Sequence, residues 1–218
     1  GKTCTSILIA EQFTDYILSK NASIYLIASP LLLDNFSKTI FNINKELNTY
    51  NKNTSLQCTS YIYTKIYEQY LKETNNNIEK TNRLMDKYKN IKYKSYGYTS
   101  LANSITKKNS TSYIEPEFIK QKFSNSVFII DEAHSYKKES DDYLALEYIL
   151  THSENTKLLL LTATPMYDKS TQIIDLLNLL LTNDKRPKLQ YNDLFGIDNL
   201  SDNRKLINID LFIKITTG

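Results

Sequence analysis

The segment VFIIDEAHSY (127–136) sets four apolar residues directly before Asp131, Glu132 and His134. Apolar residues bury a strand, and acids at its carboxyl end emerge at the ligand edge of a parallel sheet. Two adjacent carboxylates there are costly without a cation. Mg²⁺ would supply one. Asp131 can hold the metal through its water shell, and Glu132 can orient and deprotonate an attacking water. Taken alone, the segment has a plainer alternative, a strand that ends in a polar, solvent-facing loop.

The chain opens on Gly1-Lys2-Thr3 and runs straight into a helical pattern of Ile7, Ala10, Phe13 and Ile17. These three residues match the end of a phosphate-binding loop, GxxxxGK[ST]. In that reading Lys2 reaches the β- and γ-phosphates of ATP and Thr3 puts a hydroxyl on Mg²⁺. The first amides of the helix face the phosphates. Three residues alone recur by chance; their position before a helix and far upstream of DEAH gives them weight. In LLLLTATPMYD (158–168), Thr162 and Thr164 leave a buried strand at the same edge, where hydroxyls can bond Asp131 or His134. Threonine is also a good strand former, so β-propensity alone could explain them. In IASPLLLDNF (27–36), Ser29 and Pro30 join a strand to a helix, a site for a backbone phosphate or simply a helix start. In KSYGYTSLAN (94–103), Tyr96, Gly97, Tyr98 and Thr99 could touch a sugar–phosphate backbone, or could be ordinary packing in a chain with 17 tyrosines.

These residues need a scaffold. Short apolar runs at 23–29, 126–131 and 157–164 read as buried strands, with further strand candidates at 56–64 and 91–96. Helical patterns follow at about 30–47, from Tyr98, over DDYLALEYILTH (141–152) and over STQIIDLLNLLL (170–181), the last with Ser170 as a plausible N-cap. Strands apolar throughout and alternating with helices predict an α/β fold, a mostly parallel sheet covered on both faces. Residues 67–95 are polar and rich in Asn and Lys, and read as a solvent-exposed helical excursion or a partly disordered insert.

Composition narrows the class. The chain has 218 residues, 41% hydrophobic, enough for one full-sized domain. A net charge of +3 permits nucleic-acid binding without announcing it. The two cysteines, Cys4 and Cys58, form no CxxC, so no disulfide or zinc site is expected and a reducing compartment is the default. No apolar run is long enough to span a bilayer, and no signal peptide is visible.

GKT, IASPLLLDNF, SYGYTSL, FIIDEAH and LTATPMYD, in that order, resemble the first RecA-like lobe of a superfamily II helicase or Swi/Snf-type ATPase. TATPMYDKSTQIIDLLNLLL is similar to the branch found in large DNA viruses, with the poxvirus early transcription factor small subunit and nucleoside triphosphatase I. The resemblance implies a RecA-like P-loop NTPase lobe over 1–185, with residues 186–218 starting a linker toward a second lobe. It also implies that the chain starts inside its nucleotide loop. By position, Gly1, Lys2 and Thr3 would bind nucleotide, and Thr3 and Asp131 the metal. Lys2, Asp131 and Glu132 would be catalytic. His134, Thr162 and Thr164 would couple nucleotide state to nucleic acid, and Ser29, Pro30, Tyr98 and Thr99 would contact it. The implied cofactors are ATP and Mg²⁺. The implied partners are nucleic acid, DNA first, and a viral RNA polymerase or transcription complex, in the host cytoplasm (a viral factory) or the virion. A restriction-type or repair helicase subunit, or a non-catalytic scaffold of a transcription complex, remains open beside this reading.

Overall fold

The structure is a computed structural model and describes residues 1–42, 58–59, 61–107, 110, 112–166, 172–197, 204–206 and 208–217. Four short strands form its sheet: β1 (Ile24–Ile27), β2 (Tyr93–Tyr96), β3 (Val127–Ile130) and β4 (Lys157–Leu160). They lie in the order β2-β1-β3-β4, and every pairing is parallel. The expected α/β architecture with a parallel sheet is present. β1 and β3 are buried along their whole length, which is why they read as unbroken apolar runs. The period of two still sorts their side chains. Tyr25, Ile27, Phe128 and Ile130 enter one core layer; Ile24, Leu26, Val127 and Ile129 enter the other.

Helices α1 (Lys2–Glu11), α2 (Thr14–Ser19), α3 (Pro30–Ile40), α4 (Tyr61–Glu73) and α5 (Ile78–Lys92) precede β2. They cover the second layer, with Ile7, Ala10, Ile17, Phe36, Tyr63 and Met85 buried. The first layer is covered by α6 (Tyr98–Ile105), α7 (Pro116–Phe123), α8 (Asp141–His152) and α9 (Gln172–Asn183). One face of α8 is buried, with Tyr143, Leu146, Ile149 and Leu150 on it. Its start is fixed by Ser140, whose hydroxyl accepts the Tyr143 amide at 3.2 Å, with Asp141 and Asp142 in the first turn. A third cluster joins α9 to α10 (Tyr191–Leu194), β5 (Phe195–Ile197) and α11 (Ile209–Thr217), through Ile174, Leu177, Leu189 and Phe195. β5 pairs antiparallel with β6 (Arg204–Leu206).

The chain has only four glycines, and asparagine does much of their work. Asn21, Asn75, Asn76, Asn125 and Asn155 all take positive φ at turns. Asparagine tolerates that region better than other residues with a Cβ.

Three expectations need correction. The strand expected at 56–64 is not a strand where it is described, because Tyr61 to Thr64 open helix α4. Tyr63 and Tyr67 lie on one helical stripe and are buried, so packing outweighs the strand preference of Tyr, Ile and Thr. The stretch 67–95 is helical over most of its length and largely exposed, as one of its readings had it, but it packs onto the core rather than leaving it: two helices and β2 occupy it, and Thr81, Met85 and Lys92 are buried. Cys4 and Cys58 form a disulfide, with Cα atoms 5.3 Å apart, where no bond was expected. The helix read to about residue 47 ends at Ile40 with Phe41 extended, and residues 43–47 lie outside the described residues, as does Ser170.

A buried polar network ties the second layer together. Lys92 donates to Glu11 at 2.7 Å and to the Thr14 hydroxyl at 3.2 Å. Glu11 also accepts from Thr14 and Tyr63, each at 3.0 Å, and from Tyr93. The ammonium lies 5.1 Å from the centre of the Tyr63 ring and 5.4 Å from that of Tyr93. The network joins α1, α2, α4, α5 and β2, so α2, α4 and α5 are tied to the helix that begins at Lys2.

Candidate functional site

The parallel register ends the strands level with one another. Ile27 pairs with Tyr96 and Ile130, and Ile130 with Leu160. The residues that follow therefore emerge along one edge. Backbone bonds stitch that edge: Ala28 N–H to Tyr96 C=O, Asp131 N–H to Ile27 C=O, Leu161 N–H to Ile130 C=O and Ala133 N–H to Leu161 C=O.

Three segments distant in sequence meet there. The Lys2 ammonium lies 3.9 Å from Glu132 Oε1. The other Glu132 oxygen is 3.3 Å from His134 Nδ1, which is 3.0 Å from Thr162 Oγ1. The Thr162 hydroxyl also accepts the Thr164 amide at 3.1 Å. Lys2, Glu132, His134 and Thr162 thus form one chain of polar contacts, and Thr164 is held beside it. Gly1 is the N-cap of α1, and Thr3 sits half-buried in its first turn. Asp131 is 5% exposed, and its Oδ1 accepts the Glu132 amide at 3.0 Å. Glu132 itself takes a left-handed backbone, φ 47° and ψ 48°, costly for a residue with a Cβ.

The donor set suits a hard cation. A buried carboxylate on Asp131 and a hydroxyl on Thr3 are oxygen ligands of the kind Mg²⁺ takes, with waters and substrate phosphates completing the shell. Among the described residues no group of three or more His, Cys, Asp and Glu side chains could hold a metal ion. An all-protein cage is thus absent from them, whereas a nucleotide-borne Mg²⁺ needs none.

Ser29 and Pro30 open α3 at the same edge. Pro30 is exposed, and the Ser29 side chain makes no capping bond to its own helix. Tyr98 and Thr99 open α6 after β2, but their side chains are engaged within the fold. The Tyr98 hydroxyl donates to the Asp131 carbonyl at 2.8 Å, and its ring meets Tyr136 edge-on, centroids 5.4 Å apart. Thr99 donates to Asp142 at 3.5 Å. Burial, with the charges of Asp131 and Glu132 adding to it and a bond to Ser135 opposing, pushes the Tyr98 phenol up to about 12. Burial first, then the Asp142 carboxylate, also raises the Tyr136 phenol. Sequence reading missed the role of Tyr136 as a packing partner and the inward turn of Tyr98. Neither has a local signal, because the partner of Tyr98 is a backbone carbonyl 33 residues away.

A parallel sheet that gathers a helix-start lysine, an acid pair, a histidine and a threonine at its carboxyl edge is a RecA-like lobe of the superfamily II helicase type. Residues 1–209 match the model of the SNF2-related domain, and the chain belongs to that family. It is similar to "Putative helicase 087L" of Invertebrate iridescent virus 3, 29% identical over 202 residues, covering 89% of this chain and 18% of that protein. It is also similar to "Putative ATP-dependent RNA helicase R563" of Acanthamoeba polyphaga mimivirus, 31% identical over 196 residues, covering 86% of this chain and 28% of that protein. The chain thus spans under a third of the length of either relative. No solved structure matches it. No helix among the described residues is long and apolar enough to cross a membrane.

Proposed function

We propose that this chain is the ATP-binding lobe of a nucleic-acid translocase or helicase, DNA-dependent and acting in viral transcription. The polar chain from Lys2 through Glu132 and His134 to Thr162 carries the reading. In it, Lys2 grips the β- and γ-phosphates, with Gly1 and the α1 amides facing them. Thr3 and Asp131 hold Mg²⁺, which offsets the charge of the transferring phosphate. Glu132 orients the attacking water and takes its proton. His134, Thr162 and Thr164, linked to that acid by polar contacts, would couple nucleotide state to the nucleic-acid site at Ser29 and Pro30.

Residues 1–185 form the lobe in this reading, and 186–218 lead toward a second one. An arginine supplied by a second lobe is worth about 10³–10⁵ in rate in related enzymes, so the chain alone should turn over ATP poorly.

ATP turnover by the full-length protein, with and without double-stranded DNA, single-stranded DNA and RNA, tests this reading. Stimulation by DNA supports it. Stimulation by RNA alone moves the function toward the activity that the mimivirus relative is named for. No turnover under any condition overturns it.

A further inference from the structure

The peptide between Asp131 and Glu132 is held from both sides. Its N–H donates to Asp131 Oδ1 at 3.0 Å, and its C=O accepts the Tyr98 hydroxyl at 2.8 Å. One flat unit thus carries two bonds, and its rotation is the motion that would carry Glu132 into or out of the left-handed region. Glu132 occupies that region at φ 47°. A residue with a Cβ stays there only where its surroundings over-determine it. Asp131 Oδ1 cannot do so alone, because it belongs to the same turn. Tyr98 is anchored elsewhere: it is the first residue of α6, and its ring is wedged edge-on against the buried Tyr136.

We propose that Tyr98 is a positioning residue for Glu132: its hydroxyl fixes the Asp131–Glu132 peptide and so aims the Glu132 carboxylate. The inference rests on the reading of Glu132 as the base for ATP hydrolysis. Letting the peptide rotate would move the carboxylate away from Lys2 and His134, its present neighbours at 3.9 and 3.3 Å. Because Tyr98 opens α6, a displacement of the start of that helix is transmitted to Glu132 through the hydrogen bond to the Asp131 carbonyl. The start of α6 is also where Thr99 and Ser100 are exposed. A nucleic-acid strand resting on it would reach the hydrolytic residue by this route, without passing through His134.

The test is Tyr98→Phe in the full-length protein, which keeps the ring against Tyr136 and removes only the hydroxyl. Tyr136→Phe is the control, because the Tyr136 hydroxyl is buried with no hydrogen-bond partner. Two readouts are taken. Amide hydrogen exchange at Glu132 should be about tenfold faster in Tyr98→Phe and unchanged in Tyr136→Phe. ATP turnover in Tyr98→Phe should fall about 10- to 100-fold in kcat with KM within about twofold, as expected for a misaimed group rather than lost binding. If the wild type does not hydrolyse ATP, the functional reading fails, and exchange at Glu132 still decides whether Tyr98 positions it. Unaltered exchange, or unaltered kcat in a protein that does hydrolyse ATP, overturns the proposal.

Discussion

Lys92→Met would leave the Glu11 carboxylate inside the protein with hydroxyl donors and no cation. The two side chains are 5% and 16% exposed and meet at 2.7 Å, so neither charge can turn to water without unpacking α5. Removing one partner of such a pair costs about 3 kcal/mol, chiefly through the charge left behind. For a domain of this size that is about 9 °C in Tm. Glu11→Gln should cost a similar amount: the amide oxygen keeps the Tyr63 and Tyr93 hydroxyls, but the ammonium is left on Thr14 and two ring faces. The double variant then strands no charge, so it should cost about 2 kcal/mol less than the sum of the singles. Thermal unfolding of the wild type, both singles and the double closes the cycle. Singles that add within about 0.5 kcal/mol would show that the two charges do not depend on each other.

The disulfide closes a loop with a sequence separation of 54, so its loss by Cys58→Ser or by reduction should cost about 4 kcal/mol on the chain-entropy account; titration of the unfolded, unreduced protein should find no free thiol. Thr162→Val removes the hydroxyl on His134 Nδ1, and should leave nucleotide affinity intact while lowering nucleic-acid-stimulated turnover about tenfold; equal loss of affinity would place Thr162 in nucleotide binding instead. The Tyr98 phenol titrates higher in the fold, near 12, than its ordinary value of 10.0. Its share of stability is therefore complete below about pH 10 and lost as pH rises toward 12. The stability gap between wild type and Tyr98→Phe should shrink over that window in denaturant titrations, and a constant gap would contradict the assignment.

Much of the fold was legible because burial on both faces leaves a plain trace. VFII and IYLI are apolar at every position since each lies inside the sheet, and the acids after VFII mark its carboxyl end. What escaped reading depends on partners far along the chain. The burial of Lys92 is set by Glu11, 81 residues away, and no local pattern in a Lys-rich stretch signals it. The disulfide joins cysteines with no informative spacing. Helix α4 was misread because Tyr-Ile-Tyr-Thr has strand propensity, while the fold uses Tyr63 and Tyr67 as a helical stripe. At the candidate site, residue types indicated Lys2, Asp131, Glu132, His134 and Thr162. They did not indicate that Tyr98 faces inward, since a backbone acceptor has no signature in sequence.

The most direct measurement is nucleotide binding and turnover by the full-length Glu132→Gln variant beside the wild type. The account predicts ATP affinity within about threefold of wild type and turnover lowered at least about a hundredfold, since the proposed base is lost while the proposed phosphate contact of Lys2 and the proposed Mg²⁺ ligands Thr3 and Asp131 are kept. Turnover equal to wild type would remove Glu132 from the chemistry, and with it the central reading of this site.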